Sequence, residues 1–518
     1  MKKLIFGNKV NILFLFISFI CLVGIVGLGT VSFTSIQWLH DGDESAYNQL
    51  GWHFFKNDIW RFPLGSNPNY GDTIGTSIVY SDSVPLLALF FKTLKSLLPG
   101  NFQYFSFWYL ICFYFQLFFS FKILKKFTNS DLYSVVGSLF FLISPIFINR
   151  VDFHVGLSGQ WILLFALYLG LTSKIDKSKL LWILVINLAS LIHFYFTAII
   201  FVVYSILRIS NFYFEKETLF RLLKDFFIVT IFTLLTLYVV GYFEIKVVDS
   251  LGLGFGDYKL NLLSFFDPGP TSNNVFWSRF LPDIKLSLGE QLEGFNYLGL
   301  GQMLMLLFAF IVFFNKKYKT GLLSIKSNKE IKIFVLISFL FTLWALSNKI
   351  SIGSYTIIEI PLNKYIYGLL SIIRSSGRVF WIVNYFLLIL SIIIIYTSFK
   401  KKHSLSIVIL FLVIQIIDIS PGLKTRISQH TNENKNYFLE DPIWDKLFTK
   451  YKVVKTTYPE SWSLLFKDFS YPMEKYNIKR TNLVMLARSN RKSNAQARYN
   501  LYSDFREKKL DVDICPVF

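Results

Sequence analysis

The chain has 518 residues, of which 53% are hydrophobic, 19% aromatic and only 17% charged, and its mean hydropathy is +0.47. Soluble domains carry about 25% charged residues, so the charge deficit and the 57 Phe exclude a single soluble domain and exclude disorder. A net charge of +20 would point to nucleic acid in a soluble protein, but in so apolar a chain it is better explained by lysines retained on the cytoplasmic side of a membrane, with no nucleic-acid partner.

Lys2, Lys3 and Lys9 precede the apolar run Val10–Val31, which is longer than a signal h-region and closes on no small-x-small cleavage site. It reads as a retained signal-anchor with a cytoplasmic N-terminus. A mixed segment from Ser35 to about Gly100 follows, with six acidic residues between Asp41 and Asp82. Within it Val84–Leu98, interrupted by Lys92 and Lys95, reads as an amphipathic helix lying on the outer face. Further apolar runs fall at 102–121, 131–149, 156–172, 180–208, 226–243, 297–314, 333–347, 379–398 and 404–419.

The lysine clusters test this list. Lys122/Lys125/Lys126, Lys174/Lys177/Lys179, Lys216/Arg221/Lys224, Lys316/Lys317/Lys319 and Lys400/Lys401/Lys402 all fall inside if 180–208 is a hairpin of two short helices broken near His193. Its residues make only about 43 Å of helix, too little for two full crossings. About eleven membrane helices result, with long outer loops over 32–100, 244–296 and 348–378. Cys21, Cys112 and Cys515 offer neither a disulfide framework nor a thiolate metal site. No internal repeat is visible, which disfavours the duplicated transporter folds. The chain lacks an Asn-x-Ser/Thr acceptor, in keeping with a bacterial plasma membrane.

Past residue 419 the composition changes: 420–518 hold 18 basic and 11 acidic residues and no run long enough to span. Tyr451–Thr457, Asn482–Ala487 and Val512–Phe518 read as strands, Ser461–Phe469 and Ala495–Lys509 as helices. The predicted architecture is an all-α polytopic membrane bundle over 1–419 and a small extracytoplasmic α/β unit over 420–518. The latter has no Gly-rich phosphate loop and no metal spacing.

The sharpest chemical signal is His40-Asp41-Gly42-Asp43-Glu44, just beyond the first helix. Three carboxylates beside a flexible glycine can hold a divalent cation, Mg or Mn, through oxygen ligands. With a pKa raised by its neighbours, one of them can instead take a proton from an attacking hydroxyl. A solvated turn that ends a helix at the headgroups accounts for the same residues. The next stretch is dense in Trp, Gly, Pro and Asn: Gly51-Trp52, Trp60-Arg61-Phe62-Pro63, Asn67-Pro68-Asn69-Tyr70-Gly71 and Tyr80-Ser81-Asp82-Ser83-Val84-Pro85. That composition suits a fixed, irregular loop on the membrane interface.

The Asp41/Asp43 pair followed by this loop resembles the first outer loop of GT-C glycosyltransferases, in particular a bacterial branch with the same Gly-Trp, Asn-Pro-Asn-Tyr-Gly and Asp-Ser-x-Pro elements. The likeness covers roughly residues 1–420, and outside 32–86 it is one of topology more than motif. It implies a helical bundle with interface helices in its outer loops, a polyprenyl-phosphate sugar as donor, and an acidic residue of the first outer loop as base or metal ligand. Asp41 and Asp43 are the positions that match. Asp41-Gly42-Asp43 is also similar to the Asp-x-Asp metal motif of some glycosyltransferases, whereas many GT-C enzymes use no metal.

Asn69, Tyr70 and Asp82 are further substrate-loop candidates. Arg378, in Ser375-Ser376-Gly377-Arg378 at the mouth of helix 379–398, is the candidate for the donor phosphate, with Arg374 one turn earlier in reserve. An Arg fork matches phosphate oxygens bidentately, and Gly377 permits close backbone approach. A snorkelling interface arginine is the alternative. Glu290, Gln291 and Glu293 stand before a span, where they can hydrogen-bond an acceptor sugar or merely form the polar start of a helix. Arg150, Asp152 and His154 read as a site of local Arg150–Asp152 pairing, and His193 as a hydrogen-bonded packing residue. The functional expectation is an inverting membrane glycosyltransferase with a cell-surface glycan or lipid acceptor, embedded in membrane lipids. A transporter or flippase of a lipid-linked saccharide and an assembly scaffold are the alternatives.

Overall fold

Backbone amides in hydrocarbon find no water, so each apolar run must satisfy its own N–H and C=O groups, and a helix does so within the segment. The computed structural model describes residues 2–40, 43–151, 153–244, 254–271, 274–318, 322–429, 439, 441–457, 459, 464–488, 491–507, 509 and 514–517. In chain order the main helices are α1 (Lys2–Cys21), α2 (Asp43–Asn57), α3 (Pro85–Thr93), α4 (Phe105–Thr128), α5 (Asp131–Leu142), α6 (Trp161–Thr172), α7 (Lys179–Ile192), α8 (Phe194–Glu215) and α9 (Leu219–Val240). There follow α10 (Leu288–Leu292), α11 (Leu300–Phe314), α12 (Lys329–Leu346), a hairpin of β1 (Lys349–Ile352) and β2 (Tyr355–Glu359), α13 (Lys364–Leu370), α14 (Trp381–Ser398) and α15 (Lys401–Gln429).

Among the described residues six segments are long and apolar enough to cross a membrane: Asn8–Val26, Phe105–Thr128, Phe194–Glu215, Leu219–Val240, Ser376–Ser398 and Lys401–Ser428. The protein is a helical membrane bundle. Its centre is α14, which packs against α4, α6, α11, α12 and α15. Side-chain hydrogen bonds tie these apolar surfaces together where hydrophobicity cannot distinguish a helix from lipid. Gln116 Nε2 donates to the Tyr385 hydroxyl at 2.8 Å, and Tyr133 donates to the Ile392 carbonyl at 2.8 Å.

The 180–208 run does break at His193, which is extended (φ −162°, ψ 136°) and caps both neighbouring helices. The second arm, however, is not short. α8 has 22 residues, because Arg208 is carried into the helix under the carboxylates of Asp225 (2.9 Å) and Glu217. The amphipathic segment forms α3 and a following turn, with Lys92 buried 3.9 Å from the Phe55 ring.

The boundary at 419/420 also shifts. α15 runs through Pro421 to Gln429, well past the change in composition. Gly422 lets it pass the Trp277 ring, where a Cβ would stand 2.5 Å from a ring carbon, and Arg426 donates to the Val151 carbonyl. Asp418 anchors this helix. Fully buried, it accepts hydrogen bonds from Tyr297 (2.5 Å), Ser278 (2.5 Å) and the Leu300 amide (2.8 Å).

Beyond α15 lie α16 (Pro442–Lys450), β3 (Val453–Thr456), α17 (Leu464–Lys475), β4 (Arg480–Thr481), α18 (Arg491–Arg506) and β5 (Ile514–Val517), with an all-parallel sheet in the order β4-β3-β5. The predicted strand Asn482–Ala487 is not a strand. The Asn482 side chain takes the place of the ladder, accepting from the Thr456 amide (2.7 Å) and donating to its carbonyl (2.9 Å). The backbone nearby turns to the loop after α2: Thr481 N–H donates to Asn69 O (3.0 Å) and Ala487 N–H to Tyr80 O (2.8 Å).

Asp418→Ala removes a buried carboxylate that serves three donors, two of them buried. A loss of roughly 3 kcal/mol is expected, read as a lowered melting temperature of the detergent-solubilised protein. Unchanged melting would show that Asp418 does not anchor α15.

Candidate functional site

The chemistry-bearing residues gather at the end of the bundle where the chain leaves α1, α9 and α12, hereafter the loop end. Its framework is the packing of α2 on residues 81–83. Asn48 Nδ2 donates to Ser81 O (2.8 Å), Ser83 Oγ donates to Asn48 O (2.7 Å), and Tyr104 donates to Ser83 O. Gly51 allows this approach, since a Cβ there would lie 2.2 Å from Ser81 Oγ. The turn so held has Asp82 and Val84 both at φ +48°, a left-handed conformation that is strained for a β-branched valine.

Asp82 is largely buried and loosely held. The Tyr47 hydroxyl donates to Oδ2 at 3.3 Å, and His193 Nε2 stands 3.5 Å from Oδ1. His193 is committed on its other side, its Nδ1 accepting from the Tyr195 amide at 3.2 Å. Burial raises the Asp82 carboxyl to about 6, with the charge of Glu44 adding to the effect and His154 and Arg378 opposing it.

Beside it lies a tighter cluster. Glu293 takes Arg378 bidentately (Nε 2.7 Å, Nη2 2.6 Å), Arg150 Nη2 at 3.0 Å and His154 Nε2 at 3.3 Å. His154 Nδ1 meets Glu44 at 2.8 Å. Burial would raise Glu293, but the two guanidinium groups and His154 outweigh it and hold the carboxyl well below the usual range. Burial would lower His154, but Glu44 and Glu293 raise it to about 9, so it is cationic at neutral pH. Asp82, Glu44 and Glu293 thus face Arg150, Arg378 and His154, and the charges balance.

Of the predicted site residues, Asp41 lies outside the described residues, and Asp43 opens α2 with its side chain outside them. Glu44, the third carboxylate of the acidic trio, is met by His154, and Asp82 by Tyr47 and His193. The metal expectation rests on Asp41 and Asp43 and so lies outside the described residues. Arg378 is not poised for a phosphate as expected, because Glu293 already occupies its fork. Gly377 serves that contact rather than a ligand, since a Cβ there would stand 2.7 Å from Gly294 Cα. Arg374 lies 5.9 Å from the Tyr258 ring.

Glu290 does not face an acceptor. It is buried against Lys259 and closes a capping box with Ser287. Gln291 is half-buried on α10. Tyr70 is fully buried, stacked on Phe54 at 5.6 Å, and with Asn69 it receives the 481–485 backbone rather than a substrate. Arg150 pairs with Glu293, and the local partner expected for it, Asp152, lies outside the described residues. Arg150, His154 and His193, read from the sequence as pairing or packing residues, belong to the site, and Glu44 of the acidic trio joins it through His154. An ionisable residue inside an apolar hairpin was the signal for His193.

These features define a helical membrane protein with a buried, charge-compensated polar centre at its loop end. Residues 15–420 match the family model described as a domain of unknown function, DUF6311, and the chain belongs to that family. No curated protein matches the chain.

Glu293→Gln leaves three buried cations short of their common anion, so a loss on the order of 3–5 kcal/mol is expected. A melting temperature equal to wild type would contradict the central place given to Glu293. Asp82 predicts the opposite sign. Its folded pKa of about 6 lies above the unfolded value near 4, so the folded state binds the extra proton, and stability falls as pH rises through that interval. Asp82→Asn should therefore stabilise the protein at pH 7.5 by roughly 2–3 kcal/mol, with the gain shrinking towards pH 4.5. A pH-independent effect in melting scans would refute this.

Proposed function

We propose that the protein is an inverting membrane glycosyltransferase that moves a sugar from a polyprenyl-phosphate donor to a glycan or lipid acceptor at the outer face of the membrane. The observation that carries this reading is Asp82, a largely buried carboxylate with a raised pKa, held in a tight turn next to a charge-compensated cluster, which is how a general base is prepared. The loop resemblance supports it, and so does the gathering of polar side chains at one end of the bundle. In this reading eleven helices belong to the membrane, the lysine clusters and N-terminus face the cytoplasm, and the residues after α15 lie outside.

The acceptor hydroxyl attacks the anomeric carbon while its proton passes to a carboxylate. The carbon–oxygen bond to the donor phosphate breaks, and the phosphate departs with that electron pair. We take Asp82 as that carboxylate because its only donors among the described residues are distant, and Asp43, nominated by resemblance together with Asp41, opens α2, which supports the same turn. Arg150, Arg378 and His154 hold Glu293 and Glu44 in place and keep the local field fixed.

The test is transfer of labelled sugar from a polyprenyl-phosphate donor by purified protein in liposomes. Asp82→Asn should lower turnover by about a hundredfold or more. Full turnover by Asp82→Asn, Asp41→Asn and Asp43→Asn alike would refute a first-loop base. Movement of labelled lipid across the bilayer with no sugar transferred would favour the flippase reading.

A further inference from the structure

Two arginines cross where the residues after α15 meet the loop end. Arg374 extends an Nη2 donor towards the Ala487 carbonyl at 3.4 Å. Arg488, the next residue after Ala487, reaches back to the carbonyls of Ser371 (3.1 Å) and Ile372 (3.3 Å), just ahead of Arg374. Each thus holds the backbone beside the other. Among the described residues neither has a carboxylate partner, whereas Arg150 and Arg378 share Glu293.

Arg488 Nη1 is buried with no hydrogen-bond partner. Burial and the charges of Arg374 and Arg378 lower the Arg488 guanidinium to about 10. Guanidinium groups brought together where water is partly excluded, next to a cluster whose own charges already balance, are a standing cost unless an anion joins them. A phosphate suits two forks, because its oxygens accept several N–H donors at once.

The surface beside the pair says what else the anion carries. Ahead of Arg374, α13 exposes Tyr365, Ile366 and Leu369, and β2 exposes Tyr355, Ile357 and Ile358. Next to a membrane bundle, such an apolar face belongs against acyl or prenyl chains.

We propose that Arg374 and Arg488 form the subsite for the phosphate of a lipid phosphate, whose chain lies along α13 and β2, and that the residues after α15 complete this subsite by supplying Arg488. The proposal rests on the transferase reading for its choice of lipid, but not for the binding itself. It moves phosphate recognition away from Arg378 and makes the C-terminal part a component of the binding site.

The experiment is a binding titration of the full chain in nanodiscs with three probes: undecaprenyl phosphate, inorganic pyrophosphate and phosphatidylglycerol. Wild type should bind undecaprenyl phosphate, and Arg374→Gln and Arg488→Gln should each weaken it by about tenfold or more. The double variant should lose less than the product of the single effects, since both groups hold one phosphate. Arg374→Lys and Arg488→Lys should recover part of the affinity. Gln variants that melt like wild type and bind undecaprenyl phosphate undiminished would overturn the subsite. If Arg488→Gln fails to fold, Arg374→Gln decides alone, since its one backbone contact is long. Pyrophosphate or phosphatidylglycerol binding as tightly as undecaprenyl phosphate would overturn the lipid-phosphate assignment. Arginine-dependent binding without sugar transfer would remove the transferase reading and leave the subsite standing. Transfer with arginine-independent binding would do the reverse.

Discussion

One buried carboxylate fixes the loop end. Glu293 follows α10, yet its partners come from elsewhere: Arg150 and His154 from the segment between α5 and α6, and Arg378 from the head of α14. Charges held away from water cost several kcal/mol each unless they are paired, so none of these segments can shift without stranding a charge. His154 passes the constraint on to Glu44, and through it to α2. The glycines at 294 and 377 bring the two backbones close enough for the contact to form, and a side chain at either would collide.

The same device fastens the C-terminal residues. Glu474 on α17 meets His40 at 2.8 Å and Gln49 at 2.7 Å, with His53 at 3.6 Å. Burial alone would raise its pKa, but the two histidines outweigh it and hold the carboxyl far below the ordinary range. The loop carrying Asp82 is thereby clamped twice. Gly51, Asn48 and Tyr104 grip Ser81 and Ser83 from the bundle, while the Ala487 amide grips Tyr80 from the other side. This double grip sustains the left-handed turn at 82–84.

The helices were legible in the sequence because hydrocarbon leaves an apolar run no other conformation, and the lysine clusters also located the break at His193. Long-range pairing was not legible. Arg150 has an acidic residue two positions away, and local spacing favours that partner, but Glu293 arrives from 143 residues downstream. Composition likewise did not show how far the last bundle helix runs, since α15 stays helical through its polar last turns by packing Gly422 on Trp277 and bonding Arg426 to the Val151 carbonyl. Asn482 reads as part of a strand, yet its amide side chain ends the ladder. Such outcomes depend on neighbours that only the folded chain supplies.

What separates Asp82 from the other two carboxylates is the number of donors, not depth. Glu293 and Glu474 are surrounded by cations and hydrogen-bond donors, and their charged forms are favoured in spite of burial. Asp82 sits a few ångströms from the same cluster with one hydroxyl and one imidazole, both at long range, and its charged form is disfavoured. Carboxylates driven apart in this way take different roles: the well-paired ones hold the architecture, and the poorly paired one is left free to exchange a proton near neutral pH. A fold selected for stability alone would have placed an asparagine at 82, relaxing both the charge and the left-handed turn. In the transferase reading proposed above, the aspartate at 82 gives up that stability and keeps a group able to exchange a proton.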